Sequence, residues 1–261
     1  MIVRQDGDDL ILVGQTDHSR LVGQFASHWG NKTFARPKPV DTIARAATFH
    51  DYGWLRYETE PKLADNGETP GFRQIPADAS QLESFQWCID WLGNIDPYAG
   101  TIVSMHRTGL WRQRYGVISN PPPTPPRALP QPIEDFISRN EKRQEAGRAA
   151  RDADEVWTNY HLMQVWDLLG LYFCCQDPYD DSIDPVPTAY SGDRTAGLKM
   201  TMTPKDKTSV VFDPFPFGDG PCQVQLSWKR LPQIKWPDQE TFRAAYFSAK
   251  NELVTFNLLP A

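Results

Sequence analysis

Residues 152–176 read DADEVWTNYHLMQVWDLLGLYFCCQ, and this segment gives the strongest helix prediction in the sequence. Its apolar residues fall nearly all round a helix of 3.6 residues per turn, which predicts a helix buried on every side. Asp167 stands in the apolar middle of this helix. Burying a carboxylate there is unfavourable unless the group is paired or bound to a metal ion. Asp167 is therefore the single residue that most needs a functional explanation.

Further helices are predicted on both sides of this segment. Apolar residues recur at spacings of three and four, which is the pattern of helices that bury one face. These helices are predicted at 16–29, 41–54, 80–95, from Pro97 through His106, at 133–151 and from Pro237 onward. Residues 55–79 are predicted to form a loop, and the proline-rich residues 120–132 an extended segment.

Strand-like segments lie at the two ends of the chain. An Asp-Gly turn between residues 2–4 and 9–14 predicts a hairpin, and alternation predicts strands at 199–203, 209–212, 222–228 and 253–256. We therefore predict one α+β domain over residues 1–261. Its mainly helical core would span 15–176. A small antiparallel sheet, formed by the N-terminal hairpin and the C-terminal strands, would lie in a β-rich cap made of 1–14 and 190–261.

Composition narrows the classes of partner. The chain has 261 residues with 27 Lys and Arg against 33 Asp and Glu, a net charge of −6, which disfavours a nucleic-acid-binding protein. No apolar run approaches the roughly 18 residues needed to span a bilayer, and the acidic start is unlike a signal peptide. The four cysteines include no C-x-x-C pair, so we expect reduced thiols in a cytoplasmic protein. The oligomeric state does not follow from the sequence.

Five histidines are the main candidates for chemistry. His50 and Asp51 are adjacent at the end of a predicted helix, and an imidazole with a carboxylate suits Fe, Mn, Co, Ni or Zn. His18 and His106 are predicted to face inward from other helices. His161 lies six residues before Asp167, about 240° round the helix, so we expect a structural role. His28 is expected at the surface near a helix end.

The order His18, His50-Asp51 and Asp167, each on a different helix, resembles the HD superfamily of metal-dependent phosphohydrolases. Within this superfamily, the sequence most closely resembles a bacterial HD-related family that is known as a domain of unknown function. The segments that carry the resemblance are QTDHSRL at 15–21, FHDYGW at 49–54, SMHR at 104–107 and DPFPF at 213–217. The resemblance implies an HD-like core over 15–176.

The same resemblance implies a ligand set for a divalent metal ion. His18, His50, Asp51 and Asp167 would be the metal ligands, and His106 would be an auxiliary ligand or a substrate-facing acid or base. Asp51 would orient a metal-activated water with its second oxygen. Arg107, together with Arg56 or Lys62, would neutralise an anionic substrate.

Three functions remain open from the sequence. The first is a hydrolase that uses a metal-activated water on a small anionic, phosphorylated substrate. The second is a non-haem di-iron oxygenase on the same scaffold, and the third is a non-catalytic metal-binding or sensing protein. No histidine occurs between residues 52 and 105, so a second ion would require a carboxylate such as Glu58, Glu60 or Glu83. We therefore expect one ion and hydrolytic chemistry.

Overall fold

The computed structural model describes residues 1–113, 128–193 and 195–261. Within these ranges the chain forms eight α-helices: α1 (Gln15–His28), α2 (Val40–Phe49), α3 (Leu55–Thr59), α4 (Ala79–Ile95), α5 (Pro97–Trp111), α6 (Gln131–Arg148), α7 (Ala153–Cys175) and α8 (Gln239–Ser248). Short 3₁₀ turns lie at Tyr52–Trp54 and Phe72–Gln74. The predicted extended segment at 120–132 lies mostly outside the described residues, and its last two residues begin α6.

Seven strands in the described part of the chain form one curled sheet. The strands are β1 (Ile2–Asp6), β2 (Asp9–Val13), β3 (Asp181–Val186), β4 (Leu198–Asp206), β5 (Ser209–Asp213), β6 (Cys222–Leu231) and β7 (Asn251–Pro260). Their order across the sheet is β1-β2-β6-β7-β5-β4-β3. β5 and β7 are parallel, whereas the other neighbours are antiparallel, so the sheet is mixed.

The predicted fold class, a mainly helical core with a small antiparallel sheet, is wrong. Of the described residues, 48% are helical and 21% lie in strands, and the sheet is large and mixed. β6 and β7 each contain ten residues, longer than the alternation in their sequences predicts. Sheet residues such as Phe212 and Leu258 belong to the same buried cluster as α7. The sheet is therefore one wall of the main core instead of a cap beside it.

Strand β3 is not predicted from the sequence, because its amino-acid composition is unfavourable for a strand. Asp181, Asp184 and Pro185 belong to residue types that are depleted in strands. β3 lies at the edge of the sheet, where a proline is tolerated because one side needs no hydrogen-bond partner. The β-rich part therefore begins at residue 181 and not at 190.

The predicted loop at 55–79 contains one short helix, α3. Its last turn is closed by the Glu60 N–H, which donates to the Arg56 carbonyl at 3.0 Å. Glu58 is also tied to the start of α1, because the Thr16 N–H donates to Glu58 Oε1 at 3.0 Å. Long-range contacts of this kind are not visible in local sequence periodicity.

Helices α1 and α7 both pack against the sheet. Trp166 packs against Trp29 of α1, with ring centroids 5.8 Å apart, and Phe173 packs against Phe256 of β7 at 4.7 Å. α1 and α5 both pack along α7, and α2 packs on α1 and α5. Across the described residues, no helix combines the length and apolar character needed to cross a membrane. The arrangement places the middle of α7 at the meeting point of α1, α2 and α5.

Candidate metal centre

Four helices bring the predicted site residues to one point inside the core. His18 comes from α1, His50 and Asp51 follow α2, His106 comes from α5, and Asp167 comes from α7. None of the five residues is more than 6% exposed. Two overlapping groups have ligand atoms within 4.8 Å of one another: His18 with His50 and Asp51, and His50 with His106 and Asp167.

The spacing of these atoms suits a shared ion. Asp167 Oδ1 lies 2.9 Å from His18 Nε2 and 3.4 Å from His50 Nε2, and His50 Nε2 lies 3.7 Å from Asp51 Oδ2. Ligand atoms about 2.1 Å from one ion are about 3.0 Å apart at right angles and about 3.4 Å apart at tetrahedral angles. Side chains already separated by these distances need little movement to bind a transition metal.

His50 has the protonation pattern of a metal ligand. Its Nδ1 lies 2.7 Å from the carbonyl oxygen of Ala47, and because a carbonyl can only accept, Nδ1 must carry the proton. The other nitrogen, Nε2, is buried and has no hydrogen-bond partner among the described residues. A backbone carbonyl that fixes the outer nitrogen of a ligating histidine is a recurrent feature of metal sites.

The turn that carries Asp51 is fixed by a close approach to α4. A Cβ on Gly53 would lie 2.5 Å from Phe85 Cδ1, so any larger residue would push α4 away. Gln81 of α4 donates to the Gly53 carbonyl at 3.0 Å, and the Trp54 N–H donates to the Asp51 carbonyl at 3.0 Å. Asp51 is beside His50 in the sequence, and the packing of the following turn against α4 fixes the position of Asp51 in the centre.

Arg107 has a different position from the one predicted. Its guanidinium donates to Asp51 Oδ1 and lies 4.1 Å from the centre of the Phe85 ring. The residue is only 7% exposed. Arg107 therefore orients Asp51, leaving Oδ2 toward His50, instead of standing open to an anionic substrate.

The His18 ring packs against residues of α7. A Cβ on Gly170 would lie 2.5 Å from His18 Cε1, and Cys174 Sγ lies 3.8 Å from His18 Nδ1. Sequence reasoning missed Gly170, although a glycine inside a strongly apolar helix is a signal of close packing. The glycine provides the space in which the His18 ring lies.

The carboxylates are kept ionised by their surroundings. Burial by itself would raise the pKa of Asp167, but the hydrogen bond with His18 and the close approach of the His50 imidazole outweigh it and hold the pKa well below its usual range. Burial would likewise raise the pKa of Asp51, but His50 and Arg107 outweigh it and lower the pKa. The centre thus presents two buried negative groups.

The pKa values of His106 and His50 are shifted in opposite directions, although burial lowers the pKa of both. Burial lowers the pKa of His106 to about 3, which leaves its imidazole neutral and able to offer a lone pair. Burial would also lower the pKa of His50, but the charge of Asp51 and contacts with Asp167 outweigh it and raise the pKa. A cation is therefore favoured beside His50, whether this cation is a proton or a metal ion.

The remaining candidates lie outside the centre. His161 borders a small cleft with Trp157 and Pro187, and His28 is exposed at the end of α1. Glu58 is engaged by Thr16, whose hydroxyl donates to Glu58 Oε2 at 2.5 Å. Of the two cations suggested with Arg107, the Arg56 side chain donates to Ser80 at 2.5 Å and that of Lys62 lies 5.9 Å from the Tyr57 ring.

The donor set as a whole fits a divalent transition metal. Three imidazoles and two carboxylates converge, one imidazole nitrogen lacks a partner in the described structure, and the outer nitrogen of the same ring is fixed by a carbonyl. Mixed nitrogen and oxygen ligands favour Fe, Mn, Co, Ni or Zn over Mg or Ca.

A protein family matches most of the chain. No curated protein and no solved structure matches the chain. The family described as a protein of unknown function (DUF3891) matches residues 1–233, a range that contains all five residues of the centre. Because this match covers most of the sequence, the chain belongs to the DUF3891 family.

Proposed function

We propose that this protein is a metal-dependent hydrolase that acts on a small anionic, phosphorylated molecule. His18, His50, Asp51 and Asp167 would hold one divalent ion, and His106 would complete the ligand set. In this proposal the family uses a centre of the HD type, the protein works in the cytoplasm, and its partner is a small molecule, not a nucleic acid or a membrane.

One observation carries the proposal. His50 Nε2 is buried without a hydrogen-bond partner among the described residues, and it points into a space bordered by Asp51 Oδ2 at 3.7 Å and Asp167 Oδ1 at 3.4 Å. A buried imidazole nitrogen that has no hydrogen-bond partner and lies between two carboxylates is unfavourable without a cation. A divalent ion meets this need and has a chemical use in the same place.

A divalent ion held here would lower the pKa of water toward neutrality and withdraw electrons from a phosphoryl oxygen. The chain's own groups do the positioning. Arg107 holds Asp51 Oδ1, so that Oδ2 keeps a fixed direction. His106 is buried with its ring centroid 4.8 Å from that of His50, where its neutral imidazole can bind the ion.

Occupied hydrogen-bonding groups favour one ion over two. A carboxylate that bridges two ions through its two oxygens needs both of them, but Asp51 Oδ1 is engaged by Arg107. An imidazole that bridges needs both nitrogens, but His50 Nδ1 donates to Ala47. Glu58, a candidate for a second ion, is engaged by Thr16. These contacts support hydrolysis over di-iron oxygenase chemistry.

The test is metal-dependent cleavage of phosphoesters. Protein stripped with chelator and reloaded with Mn²⁺, Co²⁺ or Ni²⁺ is expected to cleave p-nitrophenyl phosphate or bis(p-nitrophenyl) phosphate. Asp51→Asn is expected to abolish this cleavage, whereas Asp90→Asn, which changes an exposed ion pair with Arg143, is expected to retain it. Cleavage that persists in Asp51→Asn would contradict the proposal.

Two other results would replace the proposal with an alternative. Two coupled irons per chain, seen by Mössbauer or EPR spectroscopy together with a visible absorption band, would indicate an oxygenase. Absence of metal binding would indicate a non-catalytic protein.

A further inference from the structure

Gln164 on α7 is a buried amide without a hydrogen-bond partner. The residue is 0% exposed, and within the described part of the chain neither Oε1 nor Nε2 has a hydrogen-bond partner. Buried primary amides are normally satisfied, because an unpaired donor or acceptor loses its hydrogen bonds to water. The described residues therefore leave both functions of this amide open to a further hydrogen-bonding group.

Gln144 on α6 gives the ordinary case for comparison. It is 3% exposed, and its Nε2 donates to Ser104 Oγ at 2.9 Å and to Thr108 Oγ1 at 3.1 Å. The two buried glutamines thus differ in hydrogen bonding within the described residues. Gln144 links α6 to α5, whereas the amide of Gln164 links no two elements.

Gln164 lies next to the metal centre on the same helix. It precedes Asp167 by three residues, which places it one turn away and about 60° round the helix axis. Side chains at this spacing are neighbours, with Cβ atoms about 5–6 Å apart. A molecule bound at an ion on Asp167 would therefore have part of its body within reach of this amide.

The amide specifies the chemistry of its partner. A primary amide both donates and accepts, whereas a phosphate dianion only accepts. A phosphate alone would leave Gln164 Oε1 unsatisfied. A hydroxyl group satisfies both functions, because it can donate to Oε1 and accept from Nε2.

We propose that Gln164 binds a hydroxyl group of the substrate beside the phosphate held at the metal centre. This inference rests on the proposed function and narrows the substrate class to phosphorylated molecules that carry a free hydroxyl near the phosphate. Gln164 is thus a specificity-determining residue and not a metal ligand.

The test compares Gln164→Met with Gln144→Met, because methionine keeps the length of glutamine but neither donates nor accepts strongly. In the metal-free protein, Gln144→Met is expected to lower the melting temperature by about 5 °C, since it breaks two buried hydrogen bonds. Gln164→Met is expected to leave the melting temperature unchanged or to raise it. Metal affinity is expected to be unchanged in both variants.

The second readout is binding of two phosphate monoesters to the Mn²⁺-loaded protein by titration calorimetry. The wild type is expected to bind glycerol 3-phosphate about fivefold to tenfold more tightly than methyl phosphate. In Gln164→Met this preference is expected to disappear, with the affinity for methyl phosphate unchanged. Gln144→Met is expected to keep the preference.

The outcomes separate the two proposals. Methyl phosphate binding without a preference that depends on Gln164 would overturn this inference and leave the proposed function standing. A melting temperature lowered as much in Gln164→Met as in Gln144→Met would also overturn it, because the amide would then be structural. If the loaded wild type binds neither ester, the proposed function fails and this inference fails with it.

Discussion

Replacing Asp167 with asparagine keeps the shape of the side chain but removes the charge at the centre of the site. Asp167 Oδ1 lies 2.9 Å from His18 Nε2 and 3.4 Å from His50 Nε2, so one atom serves two other ligands. The amide of Asp167→Asn would present a neutral oxygen or an NH₂ group there, and an NH₂ group cannot bind a metal ion. We expect the variant to lose metal binding while it still folds.

The expected quantity is the rise of the melting temperature when the metal ion binds. An ion present at 100 times its dissociation constant stabilises a folded protein by about 2.7 kcal/mol. For a chain of this size, each kcal/mol raises the melting temperature by about 2–4 °C, so the wild type should gain about 5–11 °C. Loss of an outer partner of a ligand already weakens binding about 10–100-fold. Loss of Asp167 itself should weaken binding at least 100-fold, which leaves about 0.4 kcal/mol, or about 1–2 °C.

The assay is thermal unfolding by circular dichroism with and without Mn²⁺, at one fixed metal concentration for all variants. Asp90→Asn serves as the matched control, because its carboxylate forms an exposed ion pair with Arg143 at 2.7 Å. The control should show the full metal-dependent rise. A rise of wild-type size in Asp167→Asn would show that the ion binds elsewhere and would contradict the assignment of Asp167 as a ligand.

Three further substitutions test separate parts of the structure. Gly170→Ala should displace the His18 ring, lower the free energy of unfolding by about 1–3 kcal/mol and weaken metal binding. Gly220→Ala, where a Cβ meets nothing within 4 Å, should change neither quantity. The free energy of unfolding is measured by urea titration, and metal affinity is measured by titration calorimetry. Because the pKa of His106 is about 3, the unfolded chain binds one more proton than the folded chain between pH 3 and its ordinary value of 6.5. The metal-free protein should therefore lose stability as the pH falls through this range, and His106→Asn should remove about 1.4 kcal/mol per pH unit from that slope in urea titrations; an unchanged slope would contradict the assignment. His161→Asn should keep metal affinity within about twofold, since His161 borders a separate cleft, and a large loss would show that the helix faces are assigned wrongly.

Local sequence patterns predicted the helices that carry the candidate site. The apolar residues around Asp167 indicated a buried helix, and α7 covers Ala153–Cys175. The adjacency of His50 and Asp51 requires no tertiary information. Periodicity also located the hairpin and four of the strands, because these segments alternate in the usual way.

The rest depended on contacts between distant parts of the chain. β3 pairs at a sheet edge despite its aspartates and proline, and β5 lies parallel to β7 through a long connection. Arg107 was predicted to meet substrate, but its ion pair with Asp51 joins residues 56 positions apart. Such pairings are decided by packing in three dimensions, which single-residue propensities do not record.

The proposed function requires that His18, His50, Asp51 and Asp167 hold one ion. The most direct measurement is an anomalous difference map from crystals of protein purified without chelator, collected at the absorption edge of the metal that elemental analysis identifies. We expect one strong peak per chain, within about 2.0–2.3 Å of ligand atoms from all four side chains. No peak there, a peak at other residues, or two peaks in the centre would contradict it.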